Sequence, residues 1–131
     1  MQYPEWIWHN GAIKRWADAT THVMSHALHY GSSVFEGIRS YDTPNGPMIF
    51  RLTEHNTRLF ASAKIYDMAM PYTVEQVNAA CREVIQKNGF GKAYLRPIAY
   101  RGLGGFGLSA DTPTDLSVAA WQMGPYLGEG V

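Results

Sequence analysis

Apolar and polar positions alternate from the start of the chain. Between Glu5 and His9, Trp6 and Trp8 share one face and Ile7 takes the other, the period-two pattern of a strand. Ala12 to Trp16 answers it across Asn10-Gly11, a pair at ease with positive φ and so suited to a tight hairpin turn. Pro4 precedes the first strand, where its missing N–H does little harm. Asp18 to Tyr30 has no clean period and is compatible with a turn of helix or an ordered loop. Gly31 closes it. Ser33 to Tyr41 reads as one strand, and Gly37 within it signals close approach by another backbone or a ligand. Asp42 to Pro47 is turn sequence, and Met48 to Arg51 is the returning strand.

The period then lengthens to that of a helix. Thr53 is the expected N-cap of a first helix, with Glu54 in the first turn and Leu59, Ala63 and Tyr66 along one stripe beside Phe60. Pro71 ends the segment. A second helix is capped by Thr73 with Gln76 three residues on, the capping-box spacing. Tyr72 and Val77 stand where a hydrophobic staple would pack. Its apolar stripe is Val77, Ala80, Cys81, Val84 and Ile85, with Lys87 in the last turn and Gly89 as the stop. Ala93 to Tyr100 and Leu116 to Met123 are two further strands, and Pro97 inside the former predicts an edge position or a bulge. This order predicts an α+β fold: a mixed, mainly antiparallel sheet covered on one face by two helices.

A length of 131 residues suits one domain, and 46% hydrophobic residues can bury a core. Eleven basic residues balance eleven acidic ones, so no nucleic-acid surface is implied. One cysteine, Cys81, excludes an intramolecular disulfide framework and is expected as a buried thiol in a reduced, cytoplasmic protein. No apolar run reaches the roughly 18 residues of a membrane span, and the first residues lack the basic head of a signal peptide. The stretch from Gly124 to Val131 is rich in turn formers and has the look of a linker. Eight Tyr, four Trp and five Phe suggest rings that face a partner or a second domain.

Three groups carry candidate chemistry. His22, His26 and His29 have helical spacing, but no cysteine or carboxylate cluster accompanies them, so they read as packing or hydrogen-bonding groups and not as a metal site. The Gly-rich stretch Arg101 to Leu108 leads toward a strand, unlike a phosphate loop. Arg39, Arg58 and Arg96 are candidate anion ligands. Arg96 shares a strand face with Tyr94, and the two together can hold a carboxylate. Residue types alone therefore support an anionic small-molecule site or a homo-oligomer interface.

The stretch Val23-Met-Ser-His-Ala-Leu-His-Tyr-Gly-Ser-Ser-Val-Phe-Glu-Gly-Ile-Arg39 closely resembles the branched-chain amino acid aminotransferases, bacterial type. These are pyridoxal-phosphate enzymes with the D-amino-acid-transaminase fold (fold type IV). The resemblance continues through Phe50-Arg-Leu-Thr-Glu-His-Asn-Thr-Arg58 and on to Lys64, then through Ala93-Tyr-Leu-Arg-Pro97 and the Gly-rich loop. It implies that residues 1–131 form the N-terminal small domain and that the family's C-terminal domain, with its Schiff-base lysine, is absent from this chain. Lys14, Lys64, Lys87 and Lys92 do not match that lysine.

The resemblance further implies that Arg58 binds the phosphate of pyridoxal 5'-phosphate. Tyr94 matches a contact of the substrate α-carboxylate, and Arg96 the acceptor of the glutamate side-chain carboxylate. Phe35 matches an aromatic wall of the side-chain pocket. Tyr30, Leu108 and Tyr126 match residues that reach the site from a neighbouring subunit, in a homodimer or a trimer of dimers. One departure stands out. Many bacterial members carry Pro-Trp-Gly where this chain has Gln122-Met123-Gly124, so Met123 replaces a ring in the pocket lining. The implied reaction moves an amino group between leucine, isoleucine or valine and 2-oxoglutarate, with glutamate and the 2-oxo acids as products and partners. The chain by itself is expected to be inactive. A D-amino acid aminotransferase, an aminodeoxychorismate lyase relative, and a non-catalytic interaction domain are the alternatives.

Overall fold

The computed structural model describes residues 3–108 and 111–122. The opening hairpin forms as the sequence predicts, with β1 (Trp6–His9) and β2 (Ala12–Arg15) joined through Asn10 at φ 49° and Gly11 at φ 97°. The segment without a clear period contains one short helix, α1 (His26–Tyr30), stopped by Gly31 at φ 65°. The predicted strand from Ser33 to Tyr41 is divided into β3 (Ser33–Phe35) and β4 (Ile38–Thr43), and β4 turns back into β5 (Gly46–Ile49). Two long helices follow, α2 (Leu52–Ile65) and α3 (Val74–Asn88), then β6 (Ala93–Arg101) and β7 (Thr114–Gln122).

Among the described residues the strands make one seven-stranded sheet in the order β2-β1-β7-β6-β4-β5, with β3 also paired to β6, and every pairing is antiparallel. Pro97 overturns one expectation, because it lies in the central strand β6. β3 and β4 share one register against β6, with Phe35 opposite Ile98 and Ile38 opposite Leu95. The gap between them, Glu36-Gly37, falls opposite Pro97. Glu36 N–H still donates to the Pro97 carbonyl at 3.0 Å, but Pro97 has no N–H to return. The ladder breaks where one donor is missing, and no edge is needed.

The first long helix departs from its predicted start. Its N-cap is Arg51 at φ 53°, without a side-chain cap, and Thr53 lies inside the helix, where its hydroxyl accepts from Asn78 at 3.1 Å. Starting there brings Leu52 into the core, worth about 2 kcal/mol against about 1 kcal/mol for a lost cap. Tyr66 also departs. The helix ends at Ile65, Tyr66 is exposed, and Met68 is buried in its place. Arg101 closes this end by donating to the Tyr66 and Asp67 carbonyls at 2.9 and 3.1 Å. The capping box of α3 forms in full, with Thr73 N–H donating to Gln76 at 2.8 Å and Gln76 N–H to Thr73 at 3.2 Å.

Alternation along β6 and β7 decides where the core sits. Leu95, Pro97, Ala99, Leu116, Val118 and Ala120 face α2 and α3 and are sealed from water. Cys81 is buried in the same layer, and burial pushes its thiol up to about 12, against smaller opposing effects of Asn56 and Arg82. Asn56 and Asn78 bond at 2.8 Å in the buried contact between the helices, a polar core pair that the apolar pattern does not reveal. The other face of the sheet is more open and holds most of the candidate site.

Candidate functional site

Gly37 is the pivot of the site. A side chain there would place its Cβ 2.2 Å from the Tyr94 hydroxyl, so only glycine lets the tyrosine lie across the strand. The close neighbour of this glycine is therefore a side chain and not another backbone. Tyr94 stacks on Trp121 with centroids 4.8 Å apart, and Arg96 Nη2 donates to its hydroxyl at 2.9 Å. The Arg96 guanidinium lies over the Phe35 ring at 4.1 Å. Its buried Nε has no hydrogen-bond partner among the described residues. Phe35 is 55% exposed and Arg96 is half-buried, so the cluster presents a ring and a cation at the surface.

One residue back, Glu36 points the other way, toward α2. Its side chain is 5% exposed. Arg58 grips it by two bonds, Nε to Oε2 at 2.9 Å and Nη2 to Oε1 at 2.7 Å, and His55 Nδ1 meets Oε1 at 2.8 Å. Burial raises the pKa of Glu36, but the hydrogen bonds and charges of Arg58 and His55 outweigh it and hold the carboxyl below its usual 4.5. Arg51, Glu54, His55 and Arg58 line a cleft of about 300 Å³ on this side. Glu36 and His55 escaped the reading of single residues. The signal that could have found them is the spacing of His55 and Arg58 along one helix face, together with Glu36 as the sole acid between Ser33 and Tyr41.

The predicted site residues thus fall into separate groups. Phe35, Tyr94 and Arg96 come together. Arg58 does not join them: successive residues of an extended segment face opposite ways, and Arg58 bonds Glu36 while Tyr94 meets Gly37. Tyr30 lies on α1, packed on His26 at 4.5 Å and on Phe106 of the Gly-rich loop at 5.4 Å. Leu108, in the same loop, is exposed. Met123 and Tyr126 lie outside the described residues. Arg39 stands exposed on β4 beside Tyr94.

The three histidines serve structure. His26 is buried between Ser32 and the Gly107 carbonyl, both at 2.7 Å. A carbonyl only accepts, so Nε2 carries the proton in the neutral ring, and Ser32 donates to Nδ1. The bond ties α1 to the Gly-rich loop. His22 accepts from Met24 N–H at 3.0 Å, and His29 donates to the Val23 carbonyl at 2.9 Å. Among the described residues no group of three or more His, Cys, Asp or Glu could hold a metal ion, and no helix is long and apolar enough to cross a membrane.

The family model for amino-transferase class IV matches residues 33–130, which span the pivot, both long helices and β6 with β7. The chain belongs to the class IV aminotransferases. Among curated members, the branched-chain-amino-acid aminotransferase of Pseudomonas aeruginosa is 48% identical over 124 residues, 94% of this chain and 40% of that protein. Among solved structures, the Escherichia coli branched-chain amino acid aminotransferase superposes with TM-score 0.92 at 49% identity, covering 96% of this chain and 42% of its own. The T.th. branched-chain amino acid aminotransferase with pyridoxamine 5'-phosphate gives TM-score 0.92 at 45% identity, covering 100% of this chain and 44% of its own. These class IV relatives are the branched-chain enzymes that the motifs resemble. The chain spans about two fifths of their length.

Proposed function

We propose that this chain is the small domain of a branched-chain amino acid aminotransferase. The activity transfers the amino group of leucine, isoleucine or valine to 2-oxoglutarate with pyridoxal 5'-phosphate. The observation that carries the reading is the stack of Arg96 on Phe35 beside Tyr94. A transaminase for both branched-chain substrates and glutamate must take an oily side chain and a carboxylate into one pocket. Phe35 and Met123 offer the oily wall. Arg96 offers the carboxylate receptor, and Tyr94 offers its hydroxyl to the α-carboxylate.

The residues present fit the cofactor's phosphate. Arg58 keeps N–H groups directed away from Glu36, beside an open cleft. The cofactor would supply an electron sink when the α-proton leaves. This chain's residues bind and orient: Arg58 at the phosphate, Tyr94 and Arg96 at the carboxylates, Phe35 along the side chain. In this reading the lysine that bonds the cofactor is supplied by a C-terminal domain, and residues 1–131 on their own are expected to show no transaminase turnover. Tyr30, Leu108 and Tyr126 complete the site of a neighbouring copy in a homodimer or a trimer of dimers, and the exposure of Leu108 at 85% supports a covered role there. A single buried thiol suits the cytoplasm.

The test is Arg96→Leu in the full-length protein. Turnover of glutamate should fall about 100-fold, and turnover of leucine by less than about threefold, because only the carboxylate loses a charged partner. Equal losses for the two donors would sink the assignment.

A further inference from the structure

Arg58 projects from an exposed part of α2, with its side chain 69% exposed. A side chain so placed samples many rotamers, and a ligand that must order it binds less tightly. Here it is already ordered. Glu36 takes the side edge of the guanidinium, through Nε at 2.9 Å and Nη2 at 2.7 Å. The end edge, made by Nη1 and the second N–H of Nη2, faces away from the carboxylate and has no partner among the described residues. An end edge of that kind fits two oxygens of a phosphate.

Glu36 can serve as an anchor because it is itself held. Its backbone is fixed to Pro97 at the break in the strand, its carboxylate is buried, and His55 bonds the oxygen that also accepts from Arg58 Nη2. We propose that Glu36 is the positioning residue for Arg58. It holds the guanidinium side-on so that the end edge meets the cofactor phosphate, and His55 braces Glu36. This rests on the reading of Arg58 as the phosphate ligand.

The Arg58–Glu36 pair is net neutral, so Glu36 also repels a phosphate. If orientation dominates, removing the carboxylate weakens phosphate binding. If repulsion dominates, removal strengthens it.

The experiment uses the full-length protein and two probes, pyridoxal 5'-phosphate and pyridoxal, which share the aldehyde and differ in the phosphate. Both are titrated by absorbance. Arg58→Ala should weaken the phosphate ester at least about tenfold and leave pyridoxal unchanged. Glu36→Gln should weaken the phosphate ester about tenfold, again leaving pyridoxal unchanged. The double variant should bind no more weakly than Arg58→Ala alone. Unchanged or tighter binding of the phosphate ester by Glu36→Gln, or equal losses for both probes, overturns the positioning role while the role of Arg58 stands. No selective loss in Arg58→Ala overturns the underlying reading and the proposal with it. Should Glu36→Gln fail to fold, His55→Asn carries the test: about a threefold loss confined to the phosphate ester supports the brace, and no loss overturns it.

Discussion

Along β6, alternate residues live in different surroundings. Leu95, Pro97 and Ala99 meet the two long helices and are sealed from water, whereas Tyr94, Arg96, Ile98 and Tyr100 are half-buried on the opposite side. The helix side is packed by shape and apolar area. The other side is joined by directed contacts. At one end Arg96 lies between Phe35 and Tyr94. At the other, His9 bonds Ser117. One strand thus has two different sides: its helix side is packed into the core, and its open side carries the directed contacts.

The largest effect expected from breaking this comparison is on the helix side. Leu95→Ala removes a side chain with no exposure and should cost about 2–5 kcal/mol of stability. Tyr94→Phe, one residue away on the open side, should cost no more than about 1 kcal/mol. Urea unfolding of both variants measures the difference, and similar costs would mean that the two faces do not divide the work.

Gly37→Ala comes next. Its new Cβ must displace the Tyr94 hydroxyl, whose ring is held by Trp121 and Arg96. The expected loss is about 1–3 kcal/mol. Adding Tyr94→Phe removes the nearest clashing atom and should restore part of the loss in the same unfolding assay. No recovery would place the strain elsewhere.

The smallest effect is that of pH. Glu36 titrates below its usual 4.5 in the folded protein, so its contribution is present above pH 4.5 and is lost as pH falls through the folded value. His9 is held below 6.5, by burial first and then by Lys14, with Asp115 opposing. Its neutral form is favoured on folding, so its contribution is full above pH 6.5 and declines with acidification. Unfolding midpoints measured downward from about pH 8 should show a shallow decline beginning near pH 6.5 and a further one below pH 4.5. His9→Asn should remove the first and keep the second.

Much of the fold was legible because local rules and burial agree. Asn10-Gly11 makes the hairpin turn, Thr73 and Gln76 make the capping box, and the stripe from Val77 to Ile85 is the buried face of α3. The start of α2 was misread because a local cap at Thr53 competes with burial of Leu52, and burial wins. Pro97 was misread because a missing donor harms only one side of a strand. Its cost is met by a break in the neighbour, with the ladder to β7 intact.

The site divides in the same way. The family motifs pick out Phe35, Arg58, Tyr94 and Arg96 residue by residue, and the strand period already puts Tyr94 and Arg96 on one face. Neither resemblance nor period says that Arg96 lies over the Phe35 ring, or that a glycine makes room for the tyrosine. The pairing of Arg58 with Glu36 joins residues 22 positions apart, and that of Trp6 with Asn88 spans 82. By itself the sequence determined the elements, their apolar faces and the chemistry of the candidate ligands, because these depend on near neighbours and on residue type. Which ligands share a surface, and which carboxylate holds Arg58, was decided only by the tertiary structure. Such contacts depend on strand order and register, which no local pattern encodes.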